Sequence, residues 1–175
     1  HKDNYFQLED ELIDILTQFH QENKLKAGLS KEELRTKLSM ELDNREYNQF
    51  LEDLEQRNKI EVIGSDVKKY EYEVILNEEE EKLKEEILKE FTDNKFMPPN
   101  VYDILEKGSK KEEVFNYLVD KGTIVHLKED LFFLASAVDE AEKLLVNHLK
   151  QEDTITLAEF RDILNTSRKY AMALI

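Results

Sequence analysis

One pattern recurs along this chain and limits its fold more than any other feature. A long amphipathic helix, a short helix and a further helix are followed by two β-prone runs around a turn. In its first occurrence Leu8, Leu12, Ile15, Leu16 and Phe19 recur at helical spacing. That helix stops near Asn23, and Gly28 sits in the connection. Ser30, with Glu33 three residues on, has the spacing of a capping box and opens a short helix carrying Leu34 and Leu38. Tyr47, Phe50, Leu51 and Leu54 mark the next helix. IEVIG and VKKYEYEV, split by Gly64-Ser65-Asp66, read as a hairpin.

The second occurrence opens at Asn77, with Glu78 to Glu81 in the first turn, where carboxylates suit the positive end of the helix dipole. Leu83, Ile87, Leu88 and Phe91 form its apolar stripe. Pro98-Pro99 break the chain before a short helix around Val101 to Leu105. Ser109 and Glu112 form another capping-box pair, ahead of Val114, Tyr117 and Leu118. Gly122 ends that helix, and TIVHL and LFFLA flank a Lys128-Glu129-Asp130 turn. The third occurrence starts near Ser136, with Ala141, Leu144, Leu145 and Leu149 on one face. TITL reads as a short strand, Thr156 caps a helix over Leu157 to Leu164, and Thr166 or Ser167 caps a last helix that runs to Ile175 without a hairpin. Three helices closed by a hairpin is the winged-helix plan. The expected fold is therefore mainly α with small β-hairpins (α+β): tandem winged-helix domains over 1–75, 76–135 and 136–175, the last incomplete and lacking its wing.

Charge narrows the function. A net charge of -15 argues against a general nucleic-acid binder, which needs a broad basic face because phosphate contacts supply most sequence-independent affinity. Any such binding has to use a local patch against an unfavourable field. With no Cys, disulfides, thiolate metal sites and cysteine nucleophiles are excluded, which fits a reducing cytoplasm. No apolar run approaches the ~20 residues that span a bilayer, and HKDN does not open a signal peptide. An opening His1 without Met reads as a fragment of a longer protein. No phosphate-cradling Gly-rich loop occurs, and His1, His20, His126 and His148 lack metal-ligand spacing. Carboxylate pairs are too common here for any one to mark a catalytic site, so no enzyme is expected.

The end of the chain departs from this acidic background. Arg168, Lys169 and Tyr170 follow Asn165-Thr166-Ser167 at the start of the last helix, where a helix-turn-helix meets nucleic acid. Two roles stand for this cluster on composition and spacing. Thr166 and Ser167 can cap, with Arg168 and Lys169 solvated and Tyr170 in the core, and composition alone slightly favours this role. Equally, cap hydroxyls and free N–H groups can bind phosphate, Arg and Lys add charge-assisted bonds, and Tyr can stack on an unpaired base.

Three stretches then carry a family resemblance. FHQENKLKAGLSKEELRTKL, with its Gly28 to Arg35 core, KFMPPNVYDIL and FRDILNTSRKYAMALI resemble the C-terminal winged-helix region of SelB, the bacterial selenocysteine-specific translation elongation factors. The last motif, R-D-x-L-x-[ST]-S-R-K-Y, is the most specific. Lys24 and Ala27 stand where the family commonly has Pro, as does Ala173, and the family continues past Ile175 into a basic wing. The resemblance implies a non-enzymatic spacer and mRNA-hairpin (SECIS)-binding array that couples the cytoplasmic factor to UGA recoding on the ribosome. GTP and magnesium belong to upstream domains whose motifs are absent here, so no cofactor, small-molecule substrate or membrane partner is expected. Carried over by motif, Arg168 and Lys169 contact RNA backbone and loop, and Ser167 and Thr166 cap the helix and donate to phosphate. Tyr170 stacks or packs into its own core, and Arg161 lies at the edge. The first two domains act as spacers, and without the wing this chain is expected to bind RNA poorly. The alternatives are a winged-helix array for protein contact and, disfavoured by charge, a DNA-binding regulator.

Overall fold

The structure, a computed structural model, describes residues 2–39 and 41–175. It divides into two compact units, His1–Ile75 and Leu76–Ile175.

The first unit runs α1 (Lys2–Glu22), β1 (Leu29–Ser30), α2 (Lys31–Lys37), α3 (Asn44–Gln56), β2 (Ile60–Ile63) and β3 (Asp66–Lys69). Its core joins Leu8, Leu12 and Leu16 of α1 to Leu34, to Tyr47, Phe50, Leu51 and Leu54 of α3, and to Ile60 and Val67 of the hairpin. The hairpin is as expected, but the sheet has a third member, since β1 pairs antiparallel with β3, Leu29 opposite Val67. Gly28 makes that pairing possible, because a Cβ there would lie 2.8 Å from the Val67 carbonyl oxygen. The second hairpin strand is shorter than VKKYEYEV suggested. It ends at Lys69, and Glu71 turns the chain through a left-handed conformation (φ 57°). Tyr72 leaves the sheet to stack on buried His20, with ring centroids 3.6 Å apart.

His20 Nε2 accepts from the Lys69 N–H at 3.4 Å. Burial, helped by Lys69 and Lys68, pushes its pKa down to about 4, so the ring is neutral. At the other end of α1, buried Glu9 accepts from Arg57 at 2.7 Å and lies 3.6 Å from Lys59, tying α1 to the end of α3. Arg57 also bonds Asp53 at 2.8 Å, and Asp53 accepts from the Tyr5 hydroxyl, whose pKa burial pushes up to about 12.

The second unit holds α4 (Glu78–Asp93), α5 (Val101–Ile104), α6 (Lys110–Asp120), β4 (Ile124–Lys128), β5 (Leu131–Leu134), α7 (Ala135–Leu149), α8 (Leu157–Leu164) and α9 (Arg168–Leu174). β4 and β5 form the expected hairpin, with a register shift between His126 and Lys128. TITL is not a strand. Ile155 packs on the core, and Thr156 is the N-cap of α8. Helix α7 begins at the residue after β5, and one cluster joins Leu131 and Phe133 of β5 to Ala141, Phe160, Leu164, Ala171 and Leu174. Phe96 packs against the same cluster, so the core runs across residues 135/136, where the sequence pattern divides domains.

Small antiparallel strand pairs thus close helical groups in an α+β winged-helix fold. Among the described residues, no helix is long and apolar enough to cross a membrane, and no group of three or more His, Asp or Glu is placed to hold a metal ion.

Candidate nucleic-acid interface

The polar cluster read from the sequence lies where α8 turns into α9. Helix α8 starts in a full capping box. Thr156 Oγ1 accepts from the Glu159 N–H, and Glu159 accepts from the Thr156 N–H. Those bonds hold the Glu159 carboxyl below its ordinary pKa. The helix ends at Asn165 in a left-handed conformation (φ 48°), which Asn tolerates better than most residues. The N–H groups of Asn165 and Thr166 return to Asp162 and Arg161. Phe160 and Leu164 anchor α8 in the core, and Ala171 and Leu174 anchor α9.

This framework sorts the six candidate residues into three groups. Thr166 and Tyr170, four residues apart, face inward together. The Thr166 hydroxyl donates to the Phe96 carbonyl at 2.5 Å, and the Tyr170 hydroxyl donates to the Pro98 carbonyl at 3.1 Å. The Tyr170 ring meets Phe133 edge-on with centroids 6.0 Å apart. Both side chains are therefore committed to docking α9 on residues 96–98, and the capping role read for Thr166 is corrected. Ser167 does occupy the N-cap position, but its exposed hydroxyl makes no cap hydrogen bond, so side-chain capping by Ser167 is corrected as well.

Arg168 and Lys169 form the second group with Ser167, all exposed to solvent. Among the described residues Arg168 has no side-chain partner. Lys169 Nζ lies 3.3 Å from both carboxylate oxygens of Asp130, in the turn between β4 and β5. Arg161 stands apart, half-buried and paired with its neighbour Asp162 at 2.6 Å. The sequence pattern had marked Lys128-Glu129-Asp130 only as a turn. Nothing in the spacing signals that Asp130 meets a lysine 39 positions later.

Two exposed cations beside a free hydroxyl offer charge-assisted bonds to an anion such as phosphate. The charged side chains of α9 itself, Arg168 and Lys169, are both basic.

The chain matches two family models, both described as winged-helix domains of elongation factor SelB. The second SelB winged-helix domain matches residues 13–68, and the third matches residues 147–175. Both describe winged-helix domains and not catalytic ones. A search of curated proteins returns no match. Among solved structures, a crystal structure of bacterial selenocysteine-specific elongation factor EF-Sec aligns with 97% of this chain at 16% identity and a TM-score of 0.49. The chain spans 26% of that protein's length. Residues 13–68 take in the second half of α1 through most of β3, and residues 147–175 take in α8, α9 and the cluster just described; together the two matches mark a SelB-type winged-helix region.

Proposed function

We propose that this chain is the RNA-contacting and spacer part of a selenocysteine-specific elongation factor, with the exposed start of α9 as the contact to an mRNA hairpin beside a UGA codon. The observation that carries the reading is Arg168, an exposed and unpaired guanidinium at the first position of the last helix of the residues that match the third SelB domain. Lys169 and the free Ser167 hydroxyl extend the same polar surface. Tyr170 serves this surface from behind by docking α9, and it is not a stacking platform. The equivalent helices elsewhere suit a spacer. Lys110 and Lys111 of α6 are paired with Glu113 at 2.7 Å and Glu90 at 3.0 Å. Exposed residues of α3 mix Arg45 with Glu46, Glu52 and Glu55. The acidic surface around them repels phosphate away from the intended contact.

The test is a fluorescence titration, with the full-length factor that carries these residues, of a stem-loop RNA taken from beside a selenocysteine UGA codon, at two salt concentrations. Affinity falls with salt in the expected case, and Arg168→Ala weakens binding by roughly 1–3 kcal/mol, the range for a bidentate contact to a base. Unchanged affinity in the variant removes Arg168 from the site. A protein-contact role is the second reading, favoured by exposed Met172, one helical turn from Arg168, and by exposed Ile163 and Val146. RNA affinity that is absent at both salt concentrations selects it.

A further inference from the structure

The RNA face described above contains a carboxylate, which is unexpected in a phosphate-binding surface. Asp130 lies equidistant, at 3.3 Å, from Lys169 Nζ through both of its oxygens. It is held there by a defined turn. Glu129 adopts a left-handed conformation (φ 48°), His126 Nε2 bonds the Glu129 carbonyl, and the His126 ring stacks on Phe132 with centroids 4.5 Å apart. The pair is open to water, with the Lys169 side chain 54% exposed and that of Asp130 29% exposed. An exposed pair of this kind adds little to folding, so its presence is not explained by stability. Its electrostatic effect is local. A phosphate that approaches Lys169 meets a fixed negative charge beside the cation, whereas Arg168 has no carboxylate within 4 Å among the described residues.

Resting on the RNA reading, we propose that Asp130 is a specificity-determining residue of this face. It withholds Lys169 from phosphates that bring charge alone and leaves selective contact to Arg168. Sequence-independent binding is almost wholly electrostatic and bears the full repulsion. A hairpin held in one register by its contacts to Arg168 does not have to place a phosphate at Lys169, so it escapes most of that repulsion. Discrimination of this sort comes from penalising the wrong ligand.

Two probes test this with the full-length factor: the UGA-adjacent stem-loop RNA, and unstructured poly(U) of the same length. Asp130→Asn is expected to raise poly(U) affinity roughly five- to tenfold, and to steepen its log-log salt dependence by about 0.7, one more phosphate contact on a single strand. Stem-loop affinity should rise no more than about twofold. In a Lys169→Ala background the gain from Asp130→Asn should vanish. An equal gain for both RNAs, no gain for poly(U), or a gain that survives Lys169→Ala overturns the proposal. In those cases the RNA reading still stands if Arg168→Ala weakens stem-loop binding. If the unmodified full-length factor binds neither RNA, the reading and this inference fall together.

Discussion

Helices α6 and α9 occupy the same place in successive helical triplets and open on near-identical words, Ser109-Lys110-Lys111-Glu112 and Ser167-Arg168-Lys169-Tyr170. Their beginnings behave differently. In α6 the Ser109 hydroxyl accepts from the Glu112 N–H at 3.1 Å, the Glu112 carboxylate accepts from the Gly108 N–H at 2.6 Å, and both lysines are in ion pairs. The corresponding helix of the first unit, α3, closes on itself in the same way, through Asp43 and Glu46. In α9 the third helical position is Tyr170, which turns inward to Pro98, so no carboxylate reaches back across the helix start. Tyrosine in place of glutamate leaves the backbone of the α9 start without a reciprocal carboxylate, and of its two cations Lys169 pairs with Asp130 while Arg168 stays unpaired. The difference teaches that a cationic pair signals binding only when its local carboxylates are accounted for.

The largest expected effect tests what holds α9 in place. Phe133 is fully buried and meets the Tyr170 ring, so Phe133→Ala should cost the second unit about 3–5 kcal/mol. Urea denaturation followed by circular dichroism measures it. A loss below about 1 kcal/mol would mean that α9 does not depend on this packing.

Acid separates the first unit from this contrast. The folded pKa of His20, about 4, lies below its ordinary 6.5. Between those values the unfolded chain takes up a proton that the folded unit does not. Stability is therefore intact above pH 6.5 and falls as the pH drops toward 4, by up to about 3 kcal/mol. Comparing denaturation midpoints of the chain and His20→Phe from pH 7 to 4 isolates this contribution. Parallel curves would show that the ring titrates normally.

The smallest effect is the most direct test of the comparison. Ser109→Ala should cost about 1 kcal/mol, the usual worth of a side-chain cap, whereas Ser167→Ala should cost less than about 0.5 kcal/mol. Equal losses in thermal denaturation would erase the distinction drawn between the two helix starts.

Local rules carried the elements a long way. Apolar spacing located the helices, and Ser30, Ser109 and Thr156 accept from the N–H three residues on, as their S/T-x-x-E spacing implies. Only Thr156 also receives the reciprocal glutamate bond, because Glu112 turns to Gly108. Where distant residues decide, spacing was silent. The TITL segment has the alternation of a strand, but Thr156 is taken by the α8 cap. Leu29-Ser30 is too short to stand out, and it becomes a strand only because Gly28 lets Val67 approach. Within the site, the exposed cations were legible as charges in a helix start. The inward turn of Thr166 and Tyr170 was not, since their acceptors at Phe96 and Pro98 lie about seventy positions away.

Strand β5 ends at Leu134, and α7 begins at Ala135 with Leu134 as its N-cap. No residue between them is free of secondary structure, and Leu131 and Phe133 share a core with Phe160 and Ala171. The hairpin is thus built like the short arm of a rigid bracket. Displacing its tip loads the strand–helix corner at once, with no slack in the chain to absorb the strain.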